Sequence, residues 1–560
     1  MERSYIVIYN TSVQDFESEL QQNLINRYII LNNLMAVIYV ENNFDEQKLS
    51  NLKTISWWEI SNPMSSLINI TNNSTQGESV RSAAGTDYIY NNPYITPTGE
   101  NVLIAIIDSG INYLHPDFIN PDQTTKIVSI WDQESTAKEA PQGYLFGSEF
   151  TREEINEAIR QNNPTLSIDE IGTGTIAAGI AAGLGNSNNG YDGVARGAEL
   201  VIVKLRSYTG YYKEGKVNYQ VSDFLAGIRY VTELADRLNR KIVINITVGE
   251  RSRTVIEASL LDTFNYLNRS GYIVVSGAGN EGNSDIHYKG NIQITDKYQD
   301  IIIQVGEQTN LDIILCPSGP DKIGASIISP SGEMSYIINY APDNFSYSGR
   351  FNLEDTAYEL NYIYPWLQSG NLQLIARLKD VKPGIWTLRL YPEFIIKGEY
   401  DVYLPNKNLI SDETRFINPT SESTITFFAT TRNVITVGAY NGKTNGIWIG
   451  SSNGSLRTSP IKPDIVAPGV DIIAPNNNYS YTTATGTGVS SSMVAGVLAV
   501  IIDYISTQEQ DSRIVLYTQV LKTYLMLGAT KKEIYTYPNT SEGYGNLNLE
   551  ETLRQIANNI

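Results

Sequence analysis

Residues 486–496 read GTGVSSSMVAG. Small residues there open a long apolar run, MVAGVLAVIIDYI (493–505), with the length of a buried helix. Upstream lie two short apolar segments punctuated by Pro and Gly, NVITVGAY (433–440) and KPDIVAPGV (462–470), which read as strands. The stretch therefore predicts strand, loop and then a helix that packs closely on a sheet, beginning near Val489. Ser490, Ser491 and Ser492 fall in its first turn, where hydroxyls can cap free N–H groups.

Moving outward, the same alternation recurs from about residue 100. NVLIAIID (101–108), AELVIVKL (198–205), KIVINIT (241–247) and GYIVVSGAG (271–279) are apolar strand runs. The stretch 221–239 has helical spacing, and a further helix is expected between 247 and 271. Apolar strands separated by amphipathic helices predict an α/β fold, a parallel sheet with helices on both faces. Ligands on such sheets bind beyond the carboxyl ends of the strands.

Flanking regions differ in character. Residues 1 to about 75 alternate strand and helix patterns (RSYIVIYN, VQDFESELQQNLI, LMAVIYVE, FDEQKLSNL, TISWWEI), which predicts a small α+β unit with two helices on one sheet face. SNPMSSLINITNNSTQGES (61–79) is rich in Asn and Ser and reads as a linker. Between about 286 and 420, runs such as NLDIILC, LQLIARL and GIWTLRLYP alternate with turn signals, the pattern of an inserted all-β jelly roll. The expected domains are 1–80, 81–285, the insertion 286–420, and 421–560.

A net charge of −19 over 560 residues argues against a nucleic-acid partner, since phosphate binding needs clustered Lys and Arg. No run approaches roughly 18 uncharged apolar residues, so no membrane span is expected. The start, MERSYIVIYN, lacks the basic segment and longer apolar stretch of a secretory signal, which leads to an expectation of cytoplasmic synthesis. The lone Cys316 excludes an internal disulfide. No cofactor and no metal-ligand set is expected.

Several ordered motifs together resemble the subtilisin-like serine proteases, the subtilases. IAIIDSGINYLHPDF (104–118) matches the family's aspartate segment, with Asp108 on the catalytic acid. GTGTIAAG (172–179) matches its histidine segment, with Thr173 in place of the histidine. GTGVSSSMVAG matches its serine segment, with Gly488 in place of the nucleophile. VVSGAGNEG (274–282) puts Asn280 at the oxyanion-hole position, and Thr247, Val248 and Gly249 match the substrate-edge segment. Within the family the chain resembles the clostridial spore-germination Csp group, which carries a jelly-roll insertion, and there the pseudoprotease member with degenerate triad positions.

The resemblance implies that residues 1–80 are a propeptide, which here stays attached because its removal by self-cleavage needs the triad. Its tail is then expected to lie across the groove at 247–249. A serine protease needs an oxygen nucleophile, a base for its proton and an acid to orient that base. Glycine offers no nucleophile, and an alcohol has no proton affinity near neutral pH, where imidazole titrates. His115 and His287, the chain's two histidines, are read as packing and domain-contact residues.

What the resemblance implies for function is regulation of germination in the spore. The chain would sense a germinant such as a bile salt, or bind and control an active Csp subtilase that processes a cortex hydrolase. A passive structural role and an active protease with unorthodox residues remain as alternatives. For an anionic germinant, Arg457 and Lys462, in SLRTSPIKPD (455–464), are the cations expected near the site.

Overall fold

The structure, a computed structural model, describes residues 2–42, 44–71, 77–91, 97–187, 190–253, 260–341, 345–366, 370–457, 460–508 and 515–558. At its centre is the sheet anticipated by the apolar runs. Its strand order is Ser148–Thr151, Ile127–Asp132, Glu199–Lys204, Val102–Asp108, Lys241–Ile246, Tyr272–Gly277, Ile435–Asn441 and Gly446–Ile447, with Ile465–Pro468 also paired to Ile435–Asn441. The pairs from Ile127–Asp132 across to Ile435–Asn441 are parallel, and Val102–Asp108 in the middle is buried along its whole length. β-Branched residues suit such a strand because both of its faces are covered.

Alternate side chains of the strands feed two cores. Ile104, Ile106, Val243 and Val275 pack with the helices Thr173–Ala182 and Thr487–Thr507. Leu103, Ala105, Ile107 and Ile244 pack with Val221–Leu238 on the opposite face. The helices Thr173–Ala182 and Thr487–Thr507 cross at Gly496, where a Cβ would stand 2.5 Å from that of Val194 and 2.7 Å from the Ala181 carbonyl. Thr487–Thr507 is long and apolar enough to cross a membrane by length and mean hydropathy, although Ser490–Ser492 and Asp503 interrupt its apolar run, and 94% of its apolar window is buried inside the protein. It is the central core helix.

The N-terminal unit is a four-stranded sheet ordered Tyr28–Ile30, Met35–Val40, Arg3–Tyr9, Ile55–Ile60, with helices Val13–Gln22 and Gln47–Ser50. The period of two sorts its side chains. Tyr5, Val7 and Tyr9 face its own helices with Phe16 and Leu20, whereas Ile6, Val37 and Trp57 join the core beneath Val221–Leu238. Ser12 caps the first helix by accepting from the Asp15 N–H.

Between His287 and Phe416 the chain forms two antiparallel sheets, one of six strands and one of four, enclosing a separate core that includes Ile303, Leu374, Leu388 and Trp386. One expectation is corrected. Residues 61–79 are no simple linker: Pro63–Ser66, Asn69–Ile70 and Glu78–Ser79 are strands paired to the main body. The helix expected between 247 and 271 falls partly outside the described residues, and Leu261–Thr263 and Asn265–Asn268 form only short 3-10 turns.

Candidate functional site

Asp108 ends the central strand and is fully buried. Thr173, the first residue of its helix, donates its hydroxyl proton to Asp108 Oδ1 at 2.5 Å. Thr247 donates to Oδ2, and the Ser109 N–H to Oδ1 at 2.7 Å. Burial pushes the carboxyl up to about 6, against these hydrogen bonds, and the nearby charge of Asp169 adds to the rise. Two alcohols thus occupy the carboxylate that in a triad would orient an imidazole.

Gly488 is the second residue of the helix Thr487–Thr507. Its N–H donates to the carbonyl of Leu67 at 3.0 Å, and the Leu67 N–H donates to the Thr247 carbonyl at 2.8 Å. A Cβ at 488 would lie 2.7 Å from Ile68 Cγ1 and 3.0 Å from the Leu67 carbonyl carbon. The Leu67–Ile68 peptide therefore rests in the space that a serine side chain would enter.

That peptide is the middle of a continuous strap. On one side Pro63–Ser66 is the centre strand between Val217–Gln220 and Val248–Glu250, with Ser66 opposite Val248 and Ser65 opposite Gly249. On the other, Asn69 and Ile70 pair with Thr485 and Ala484. The segment 65–67 thus lies along Thr247, Val248 and Gly249. The bond over the emptied position is 67–68, upstream of the boundary expected near residue 80. Asn406, between the inserted strands Glu399–Tyr403 and Arg415–Phe416, buttresses the strap by donating to Ser65 Oγ at 3.0 Å and to the Gly249 carbonyl at 2.8 Å. Nothing in its local sequence marks it.

Asn280 follows the strand Tyr272–Gly277, and its Oδ1 accepts from both the N–H and the hydroxyl of Thr487 at 3.0 Å. Among the described residues its buried Nδ2 has no partner. It stands near the strap: a Cβ built on Gly486 would lie 3.1 Å from this nitrogen and 2.2 Å from the Leu67 carbonyl oxygen. The three serines do not cap N–H groups as expected. Ser491 and Ser492 donate to the Gly488 carbonyl at 3.1 and 2.7 Å, and Ser490 to the Ala467 carbonyl at 3.0 Å, since inside the first turn the carbonyls are within easier reach.

Neither histidine approaches the site. His115 is buried with its ring nitrogens on the Asp117 N–H and the Ser480 carbonyl, and burial holds its pKa down. His287 binds Asp401 at 2.9 Å and stacks on Tyr403.

The two expected ligand cations are corrected as well. Arg457 donates to both carboxylate oxygens of Asp401 at 2.7 Å. Lys462 is buried, donates to Asp464, the Val434 carbonyl and Thr436, and is pushed down to about 8 by that burial. Each charge is consumed by an internal partner, because a buried cation without one would be strongly unfavourable.

Comparison with known proteins agrees with this geometry. The subtilase family model matches residues 99–365 and 406–546. A subtilisin from a Bacillus strain is 31% identical over 211 residues, 37% of this chain and 40% of that protein. The C5a peptidase of Streptococcus pyogenes is 22% identical over 77% of this chain and 37% of its own length. The chain thus spans about two-fifths of the length of these curated relatives. The structure of the Clostridium perfringens CspB protease superposes with a TM-score of 0.73 and 26% identity, covering 86% of this chain and 97% of that one. An epidermin leader peptide processing protease from Staphylococcus aureus shares the fold, with a TM-score of 0.50 and 16% identity. A parallel sheet ending in Asp108, a core helix opening at Gly488 and a match over most of the sequence have one common source: the chain belongs to the subtilase family, and its fold resembles that of a Csp-group member.

Proposed function

We propose that the protein is a catalytically inactive subtilase, a pseudoprotease that binds and regulates instead of cutting. The observation that carries this reading is the lack of any side chain at Gly488, over which the Leu67–Ile68 peptide lies with its carbonyl on the Gly488 N–H. In subtilisin, removing nucleophile or base alone costs on the order of a millionfold in kcat, because the triad acts as a unit. Here position 488 offers no nucleophile, and the hydroxyl at 173 is spent on Asp108.

The test is the intact mass of the purified chain together with turnover of a chromogenic peptide. The expected result is a single full-length species and no turnover. A natural product cut between Leu67 and Ile68 would overturn the reading.

The likeness to CspB points to the setting: regulation of spore germination, by sensing a bile-salt germinant or by holding and controlling an active Csp subtilase that processes a cortex hydrolase. A ligand that prefers the native state raises its stability by mass action. An upward shift of the unfolding midpoint on adding cholate or an active Csp subtilase supports this role. No shift with either leaves the chain a passive component of the spore.

A further inference from the structure

The two sheets of the insertion have four edges, and three of them are protected. Edge strands expose unpaired N–H and C=O groups that invite other chains, so folded proteins cover, shorten or charge them. In the four-stranded sheet, Lys322–Ile328 is covered by the segment 333–338 through the Ala325–Ile338 and Ile328–Met334 bridges, and the opposite edge, Arg415–Phe416, is only two residues long. In the six-stranded sheet, His287–Asn291 carries Lys289 and gives the His287 carbonyl to the Thr420 N–H.

The fourth edge, Phe345–Phe351, has none of these protections. It pairs with Thr356–Trp366 residue for residue, without a bulge. Among the described residues no other segment bonds its backbone, so the outward half of its N–H and C=O groups is open. The strand contains no proline, and its one charge, Arg350, is held by Asp355 at 2.8 Å.

Its side chains are open as well. Phe345, Tyr347 and Phe351 share the face turned toward the four-stranded sheet, yet only Phe351 reaches that sheet, packing on Trp386 at 5.3 Å. Phe345 and Tyr347 overhang it, 42% and 38% exposed, and Tyr336, 62% exposed, stacks on Tyr347 at 5.0 Å. An open backbone row beside an uncovered aromatic patch is the surface that strand addition uses.

The strand's own pattern specifies its complement. Aromatic residues at 345, 347 and 351 alternate with Ser346, Ser348 and Arg350. When two copies pair antiparallel about a two-fold axis at Ser348, each side chain keeps its face: Phe345 stands opposite Phe351, Tyr347 opposite Gly349, and Ser346 opposite Arg350. Aromatic meets aromatic, and the Tyr347 ring covers a glycine. No like charges face each other, so this edge is a neutral approach for chains that each carry −19.

We propose that Phe345–Phe351 is where a second copy of this chain docks, joining the two six-stranded sheets into one across the two-fold axis. Strands meeting edge to edge bury less than the roughly 1,200 Å² at which standard interfaces begin, so the dissociation constant is expected in the micromolar range.

Sedimentation equilibrium of the full chain from about 1 to 200 µM tests the interface, and the mass should rise from that of one chain toward that of two. Ser348→Lys and Ser348→Glu each set two like charges opposite one another at an exposed position, and each should weaken the dimer about tenfold. An equimolar mixture of the two variants should regain the natural affinity, because lysine then faces glutamate. In the natural chain, amide exchange at 345–351 should slow as concentration rises, a readout that needs no variant. A monomer at every concentration, a dimer indifferent to both variants, or a mixture no tighter than either variant alone overturns the interface.

Discussion

Two strips of one groove have diverged. Along the binding strip, strands Val217–Gln220 and Val248–Glu250 still grip an extended segment by backbone pairing. Along the chemical strip, Asp108, Thr173 and Gly488 keep their places in the fold, but neither a base nor a nucleophile stands at 173 or 488. The difference teaches that β-pairing depends on main-chain atoms every residue carries, whereas catalysis depends on a few side-chain atoms that a single substitution removes.

The comparison breaks most readily at Arg253, which ties the strap-bearing unit to the body. Fully buried, it pairs with Glu59 of the N-terminal sheet at 2.9 Å and with Glu250 of the groove edge, and it contacts Gln373 of the inserted sheets at 3.2 Å. Arg253→Ala strands two buried carboxylates, so it should lower unfolding stability by about 3–5 kcal/mol in a denaturant titration. By contrast, Arg350→Ala, at a pair with both side chains more than half exposed, should change it by less than about 1 kcal/mol.

On the chemical strip, Gly488→Ser would force a Cβ into the space of Ile68 and Leu67. The expected cost is about 1–3 kcal/mol from overpacking, seen as faster amide exchange across residues 64–71. Unchanged exchange there would show that the strap does not occupy the nucleophile's space.

Asp108 sharpens the contrast through pH. Its folded pKa of about 6 lies above the ordinary 3.8, so between these values the folded state binds the proton and the unfolded state does not. Stability from this group is present at low pH, falls as pH rises from about 4 to 6, and is flat above. Asp108→Asn should remove that dependence and stabilise the protein at pH 7 by on the order of 1–3 kcal/mol. A natural chain whose stability rises through that window, with Asp108→Asn neutral, would contradict the assignment.

The smallest effect is expected at Asn280. Asn280→Ala removes the acceptor for two Thr487 donors, so the loss should be about 1 kcal/mol in a denaturant titration. A loss well above about 3 kcal/mol would show that Asn280 holds more than the Thr487 donors.

Much of this was legible in the linear order of residues. The apolar strand runs and the small-residue opening of the 487–507 helix predicted the sheet and its central helix, since both periodicities are local. The missing imidazole and hydroxymethyl are visible as letters at 173 and 488. The strap was misread in part because polar Ser and Asn in 61–71 carry no apolar alternation. Those residues become strands only because the groove offers unpaired backbone on both sides. Arg457 and Lys462 were misjudged for a related reason: Asp401 is remote in sequence from Arg457, and the Lys462 pocket closes only when Val434, Thr436 and Asp464 come together.

By itself the sequence determined the α/β architecture, the absence of base and nucleophile at 173 and 488, and the acidic balance of the chain, because each follows from residue identity or short-range pattern. Tertiary structure alone decided which peptide bond lies over Gly488 and which buried charges are spent. Those outcomes depend on contacts between distant segments, and distance in space is not written in the local spacing of residues.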